Sequence, residues 1–218
     1  YRVDALRLES GDQWIDVDGV VDPTGTQEFE VALNAVQLRG IAPLAGLTGL
    51  GGTATGALTL TGAATAPQLD GTLNLDLRSE DRPVGTLRLD LDYADLAATL
   101  DAQLTHEDGS VLTVAGSVPT DLRLHAPTPA LVSEQPVRLD IATDQFPVNW
   151  IDPFLDPASV RSVTGTLTAD AEVRGTLDDP KLSGSASVTN AGASLPALET
   201  SYRDGSASLQ LTGNQLTL

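Results

Sequence analysis

The sequence predicts an elongated all-β fold of repeated short strands, each with one apolar face, and one or two short helical segments. Three observations predict it. Apolar and polar residues alternate over most of the chain, a twenty-residue motif occurs twice, and no long amphipathic helix is available to cover the apolar strand faces. Period-two alternation is typical of strands with one apolar face. A repeat of strand units is typical of stacked, extended proteins.

The repeated motif reads as strand, glycine, proline-marked turn, glycine and strand. Residues 52–71 and 165–184 lie 113 positions apart and share seven of twenty residues without a gap. A looser pair, residues 15–20 and 112–118, precedes each copy. The glycines that we expect to serve turns, bulges or sheet bends are Gly62, Gly71, Gly175 and Gly184.

Alternating runs place the strands along the chain. Leu73, Leu75 and Leu77 share one face, while Asn74 and Asp76 point to the other. Further runs carry Phe29/Val31/Leu33, Leu58/Leu60, Leu87/Leu89/Leu91, Leu100/Ala102/Leu104, Leu112/Val114, Val137/Leu139/Ile141, Leu167/Ala169/Ala171/Val173, Ala186/Val188 and Ala207/Leu209/Leu211. Roughly 18 strands at about 4.8 Å each would give a trough on the order of 85 Å long.

Turn residues separate these runs, and two segments break the alternation. Turns are predicted at residues 22–25, 79–83, 107–109, 178–180 and 203–205. The segments 42–50 and 147–155 each precede a copy of the motif and could form about one turn of helix, which prolines and glycines keep short. We call them predicted plugs.

Composition restricts the class of protein. The 218 residues carry 12 Lys and Arg against 30 Asp and Glu, a net charge of −18. This argues against nucleic acid as a partner and against docking on anionic lipid surfaces. We hypothesise that the acidic surface reflects salt adaptation. The absence of cysteine excludes disulfides and thiolate metal sites.

The chain begins at Tyr1, contains no methionine and shows no signal peptide or long apolar span. We therefore expect residues 1–218 to be one continuous β-repeat segment of a longer protein. The approximate repeat units are 13–110 and 111–218.

No pattern of catalytic, cofactor-binding or metal-ligating residues emerges. His106 and His125 read as surface or strand histidines, without the spacing of a metal cluster. Paired carboxylates such as Asp16 and Asp18 read as a solvated acidic surface, with a weak Ca²⁺ site as the alternative. We expect no catalytic residue, metal or cofactor, and no enzyme activity.

The apolar strand faces can be covered in two ways. The sheet could fold onto itself as a dry sandwich or barrel, or it could curl into an open trough. Large core anchors are scarce, with three Phe, three Tyr and two Trp, which favours the trough. A large exposed apolar groove suits an extended apolar ligand such as an acyl chain.

The motif Gly-Thr-x-Thr-x₆-Gly-x₄-Pro-x-Leu-x-Gly, with a short plug before it, resembles the repeating C-terminal region of the TamB and AsmA-like family. The resemblance covers residues 33–77 and 139–190, one motif in each. It implies an elongated, twisted, half-open β trough (β-taco) with an apolar interior, in a periplasmic protein anchored in the inner membrane of a diderm bacterium. It also implies transfer of phospholipids toward the outer membrane, and a possible partner of the TamA/BamA outer-membrane barrel type.

On this hypothesis, phospholipid acyl chains contact a set of aliphatic residues. Trp14, Trp150 and Phe154 are expected at the rim or in the plugs. The residues expected to line the groove are Leu58, Leu60, Leu73, Leu75, Leu77, Leu87, Leu89, Leu91, Leu100, Leu104, Leu139, Ile141, Leu167, Val173, Val188, Leu209 and Leu211.

Two other functions remain open from the sequence. A structural or adhesive protein of tandem β-sandwich or solenoid units would have a dry, closed core. A chaperone-like scaffold for outer-membrane β-barrel proteins would receive strands at its open edges.

Overall fold

The chain folds as one open antiparallel β-sheet, which confirms the predicted all-β class. The computed structural model describes residues 1–41, 50–79, 82–123, 130–132, 134–156, 158–213 and 215–217. The strands are β1 (Arg2–Ser10), β2 (Gln13–Val20), β3 (Thr26–Gln37), β4 (Leu50–Ala63), β5 (Ala66–Ser79), β6 (Arg82–Ala94), β7 (Ala97–His106), β8 (Val111–Asp121), β9 (Ala130–Leu131), β10 (Arg138–Pro147), β11 (Arg161–Gly175), β12 (Pro180–Leu195), β13 (Thr200–Gly213) and β14 (Gln215–Thr217).

Nearly every strand pairs with its neighbours in sequence, so the sheet is a meander. The order runs from β1 to β8, then β10 to β14, while the two-residue β9 pairs only with β8. The described residues form fourteen strands, fewer than predicted, because the alternating runs continue into strands as long as the 16 residues of β12. Twelve spacings along this path give a length on the order of 60 Å.

Three short helical segments interrupt the described strands. They are α1 (Leu38–Ile41), a 3-10 helix at Val148–Phe154 and a 3-10 turn at Pro196–Leu198. The second confirms the predicted plug at 147–155. Residues 42–49 of the other predicted plug lie outside the described residues, and α1 directly precedes them.

The turn predicted at residues 203–205 is wrong, because those residues lie inside β13. Asp204 has φ +55° there, and the chain reverses instead at Pro196–Leu198. An Asp-Gly pair suits both a turn and a bulge, since both can require positive φ. Turns at 22–25 and 107–109 are present, while residues 80 and 81 of the turn predicted at 79–83 lie outside the described part.

The two copies of the motif occupy equivalent hairpins. Gly62 pairs with Pro67 where β4 turns into β5, and Gly175 pairs with Pro180 where β11 turns into β12. Because β11 lies six places beyond β4 in the sheet order, the repeat is a six-strand unit. The other two predicted glycines, Gly71 and Gly184, lie within β5 and β12.

A line of β-bulges crosses one end of the sheet in β3, β10, β11 and β12, and a further bulge lies toward the opposite end in β1. Ladder registers shift beside Ala5 in β1, Ala35 in β3 and Gln145 in β10, and these residues have φ of +50°, +52° and +51°. Similar positive angles occur at Ser162 and Asn190, where β11 and β12 shift register. Bulges bend a strand and increase its twist, so this line curls the sheet.

Candidate functional site

The ladder registers bring the apolar residues of successive strands onto one face, because directly paired residues share a face. For example, Leu73 lies between Gly56 and Leu89, and Ile141 lies between Val114 and Ala171. We name the two central rows of this face the floor. One row is Val17, Val31, Leu58, Gly71, Leu91, Leu100, Gly116, Leu139, Val173 and Leu182. The other is Ile15, Leu33, Gly56, Leu73, Leu89, Ala102, Val114, Ile141, Ala171, Gly184 and Leu211.

All the residues that the sequence proposed for the groove lie on this apolar face. Nine belong to the floor: Leu58, Leu73, Leu89, Leu91, Leu100, Leu139, Ile141, Val173 and Leu211. Eight lie in the flanking rows: Leu60, Leu75, Leu77, Leu87, Leu104, Leu167, Val188 and Leu209.

The floor is only half-buried. Each of the nine predicted floor residues keeps part of its surface accessible, whereas the large buried side chains gather at the margins. A face covered by a second layer would be buried along its centre. The arrangement is therefore that of an open apolar face.

Close packing between leucine and glycine flattens the floor. A Cβ added at Gly71 would collide with the side chain of Leu58 on the neighbouring strand. One added at Gly56 would collide with the Thr72 carbonyl, and Leu73 Cδ2 would lie 2.9 Å away. The leucines therefore lie over the backbone of the neighbouring strand, which keeps this part of the surface low.

One margin of the apolar face is covered by three side chains that we name the plug: Leu38, Phe146 and Trp150. They pack into a cluster with Leu77 and Leu104, whose exposed fractions are 8% and 7%. Phe146 is 0% exposed, and burying a side chain of this size stabilises by about 1.5–3 kcal/mol. The plug thus covers two of the predicted groove residues and leaves the floor open.

Aromatic contacts hold the plug together. Phe146 meets the rings of His106 and Trp150 edge-on, with centroid distances of 6.0 and 6.1 Å, the geometry that aromatic pairs prefer. The 3-10 helix is fixed to β11 because the Val163 amide donates to Asp152 Oδ1 at 3.1 Å.

The opposite margin is covered at β6. Tyr93 is 2% exposed, and its hydroxyl accepts a hydrogen bond from the Leu122 amide at 3.0 Å. Next to it, the Arg123 guanidinium holds Asp121 through both carboxylate oxygens. Leu122 and Arg123, the two residues directly after β8, therefore lie against this rim.

The polar face carries short ion pairs. Arg88 Nε lies 2.9 Å from Asp90 Oδ2, and the Thr72 hydroxyl donates to Asp90 Oδ1 at 2.7 Å. The hydrogen bond from Arg88, followed by that from Thr72, lowers the pKa of Asp90. Trp14 also lies on this face, at the start of β2, with the Arg7 guanidinium carbon 4.9 Å from its ring centroid, so it is not part of a plug.

His106 is not a free surface residue. Its ring packs on Phe146, and Nδ1 lies 3.1 Å from Asp108 Oδ1. His125 and the side chain of Phe154 lie outside the described residues. Within the described ranges, no three His, Cys, Asp or Glu side chains group as a metal site, and no helix is long and apolar enough to cross a membrane.

Sequence reasoning did not single out Leu38 and Phe146. Both flank the predicted plugs, Leu38 just before residues 42–50 and Phe146 just before 147–155. Leu38 directly follows β3, and Phe146 lies near the end of β10, the equivalent strand one six-strand unit further along the sheet. This equivalence is the signal that could have identified them. Comparison of the chain with family models, curated proteins and solved structures gives no match.

Proposed function

We propose that the chain is a segment of a bridge-like lipid-transfer protein, which carries phospholipid acyl chains along the apolar face. The observation that carries this proposal is the continuous, half-buried aliphatic floor. It extends from β2 to β13, and every residue in its two rows is aliphatic or glycine. Such a surface offers no side-chain hydrogen bonds and suits a polymethylene chain.

The energetics favour a ligand that can slide. Each acyl CH₂ removed from water stabilises the complex by about 0.8 kcal/mol. Because Leu, Val, Ile and Gly follow one another across successive strands, neighbouring positions are chemically alike. A chain moving along the floor exchanges one set of aliphatic contacts for another, without a steep minimum.

The setting of this function is part of the same proposal. The trough would bridge the periplasm as part of a protein anchored in the inner membrane, moving phospholipid between the two membranes. It could also assist assembly of outer-membrane proteins with a barrel protein of the TamA/BamA type. The support is the motif resemblance together with the open sheet.

Leu89→Asp tests the proposal most directly. Leu89 is half-buried at the centre of the floor, so a carboxylate there should disrupt acyl contact while the strand still pairs. Native mass spectrometry of the wild type should show bound phospholipid, and the variant should lose it. Leu75 suits the test less well because it packs against the plug cluster.

Asn74→Asp is the matched control. Asn74 lies on the polar face of neighbouring β5, opposite Arg88. The substitution therefore adds the same charge as Leu89→Asp without placing it on the floor. Phospholipid absent from the wild type, or retained equally by both variants, would refute lipid transfer as the function.

A chaperone-like scaffold is the second candidate. In this segment, strand β1 is the edge of the sheet and is exposed over almost its whole length, including Leu6 and Leu8, and an edge strand can accept an added strand. This role predicts that extended peptides crosslink to β1 rather than to the floor. The closed β-sandwich alternative does not agree with a single open sheet.

A further inference from the structure

The plug and the floor differ sharply in accessibility although both lie on one face. Leu100 and Leu104 lie four residues apart on β7, and both side chains point to the apolar face. Leu104 is 7% exposed under the plug, whereas Leu100 is half-buried. The same contrast separates Leu77 from Leu73 on β5.

The polar groups at the plugged margin are satisfied within the protein. The Thr143 hydroxyl donates to the Val111 carbonyl at 2.7 Å. His106 pairs with Asp108. This margin therefore resembles a packed protein core, whose contacts a ligand would have to replace.

The plug is held from two directions. Leu38 reaches it from the end of β3, and Phe146 with Trp150 reach it from the end of β10. The hydrogen bond from the Val163 amide to Asp152 fixes the 3-10 helix that carries Trp150. These attachments bring two strands six places apart in the sheet order to one cluster.

We propose that the plug confines acyl chains to the floor and excludes them from Leu77 and Leu104, with Trp150 as a positioning residue that sets this boundary. The inference rests on the proposed lipid-transfer function and adds where on the apolar face the lipid lies. The occupant is a phospholipid acyl chain, because the floor residues are aliphatic or glycine and the adjoining margin is filled by protein.

Site-specific photo-crosslinking tests the boundary. A photoreactive amino acid replaces Leu89, Leu100 or Leu104 in separate variants, each mixed with zwitterionic vesicles of phosphatidylethanolamine and phosphatidylcholine, which do not repel the acidic protein, and then irradiated. An acyl chain that buries about two more CH₂ groups at a floor position than at position 104 occupies the floor position about ten-fold more often. We therefore expect at least about ten-fold more captured lipid at positions 89 and 100 than at 104.

Trp150→Ala provides the positive arm. Removing the indole leaves an apolar cavity, which takes up apolar ligands rather than water. Capture at position 104 should then rise to within about three-fold of that at 89, because the boundary contact is gone. Asp152→Ala is the second variant, for use if Trp150→Ala does not fold. It removes the link to β11 and leaves the apolar cluster intact, and it should raise capture at 104 to a smaller extent.

Each outcome decides one question. Equal capture at 89 and 104 in the wild type overturns the plug boundary and leaves lipid transfer standing. Capture at 104 that stays low in both folded variants also overturns it, because neither contact then sets the boundary. Lipid captured at no position in any protein refutes the proposed function itself.

Discussion

At the scale of single residues, two glycines show how closely the strands approach one another. Gly19 and Gly116 occupy equivalent places in β2 and β8, with φ of +117° and +153°. A Cβ at either would collide with backbone of the next strand, at the Glu28 or Arg138 carbonyl oxygen. The looser sequence repeat at residues 15–20 and 112–118 therefore has a steric cause.

Gly116→Ala should destabilise the protein by more than about 1 kcal/mol, because the new methyl group meets both an unfavourable φ and a neighbouring carbonyl. Gly109→Ala is the matched control, since Gly109 has φ +90° but nothing within 4 Å of the added Cβ. Urea denaturation should give a clearly smaller loss for Gly109→Ala. Equal losses would show that the close approach contributes nothing.

Asp108 illustrates a local electrostatic effect in a turn. Its carboxylate accepts hydrogen bonds from the Ser110 hydroxyl at 2.6 Å and the Ser110 amide at 2.9 Å. These bonds lower its pKa from 3.8 to about 2, and His106 contributes less. The sequence predicted the turn but not this network, because Asp-Gly-Ser does not specify which side chain accepts.

We expect Asp108 to titrate with a midpoint of about 2 in carboxyl-detected NMR. Because the folded pKa is below the unfolded value, its stabilisation is present above about pH 4 and is lost as the pH falls toward 2. Ser110→Ala should move the midpoint up toward 3.8. A midpoint unchanged by that substitution would assign the shift to another cause.

At the scale of elements, the threonines of the repeated motif support the bulges. The Thr55 hydroxyl accepts a hydrogen bond from the Ala35 amide at 3.1 Å, and the Thr168 hydroxyl accepts one from the Gln145 amide at 3.2 Å. Each donor is the bulged residue of the preceding strand, whose amide has left the ladder. Thr55 and Thr168 are identical positions in the two motif copies, so part of the repeat encodes support for the curl.

Thr55→Val and Thr168→Val should each lower the free energy of unfolding by about 1 kcal/mol, because valine keeps the shape and leaves the bulged amide without its acceptor. Thr59→Val is the control. Thr59 lies on the same strand and the same face as Thr55, but its hydroxyl makes no hydrogen bond to any residue that the structure describes. It should change stability by less than about 0.5 kcal/mol. Equal losses in the free energy of unfolding for all three variants, measured by urea denaturation, would show that Thr55 and Thr168 do not stabilise the bulges.

The elements also show where sequence reasoning succeeds and stops. Alternation predicted the strand faces because a period of two fixes which side chains share a face. It could not predict strand ends, since a bulge such as that at Asp204 shifts the alternation by one position and continues the strand through turn-like residues. Nor could it predict the plug cluster, because Leu38 and Phe146 come together only through the curl of the sheet.

At the scale of the whole molecule, charge and shape act together. A net charge of −18 is spread over an open sheet rather than a closed surface. The polar face neutralises part of it through pairs such as Arg88 with Asp90 and Arg138 with Asp140. The remaining like charges repel across the folded sheet and oppose its formation.

Added NaCl should therefore raise the melting temperature. Going from about 0.01 M to about 1 M shortens the Debye length from about 30 Å to about 3 Å, which screens repulsion between acidic strands. Circular dichroism melts at a series of NaCl concentrations measure the effect, with glycerol-matched samples as a control for viscosity and exclusion. A melting temperature that stays constant or falls would reject both the repulsion and the salt-adaptation hypothesis.

Because the repeat is a six-strand unit, the number of units sets the length of the sheet. One unit adds about 29 Å at about 4.8 Å per strand, and each unit begins its motif with a short helical segment, α1 or the 3-10 helix at Val148–Phe154. Register drifts as well, because Phe29 lies one row outside the floor, whereas its counterpart Leu139 lies in it. A molecule moving along this surface would follow an oblique, helical path, which advances by a fixed distance and rotates slightly with every unit.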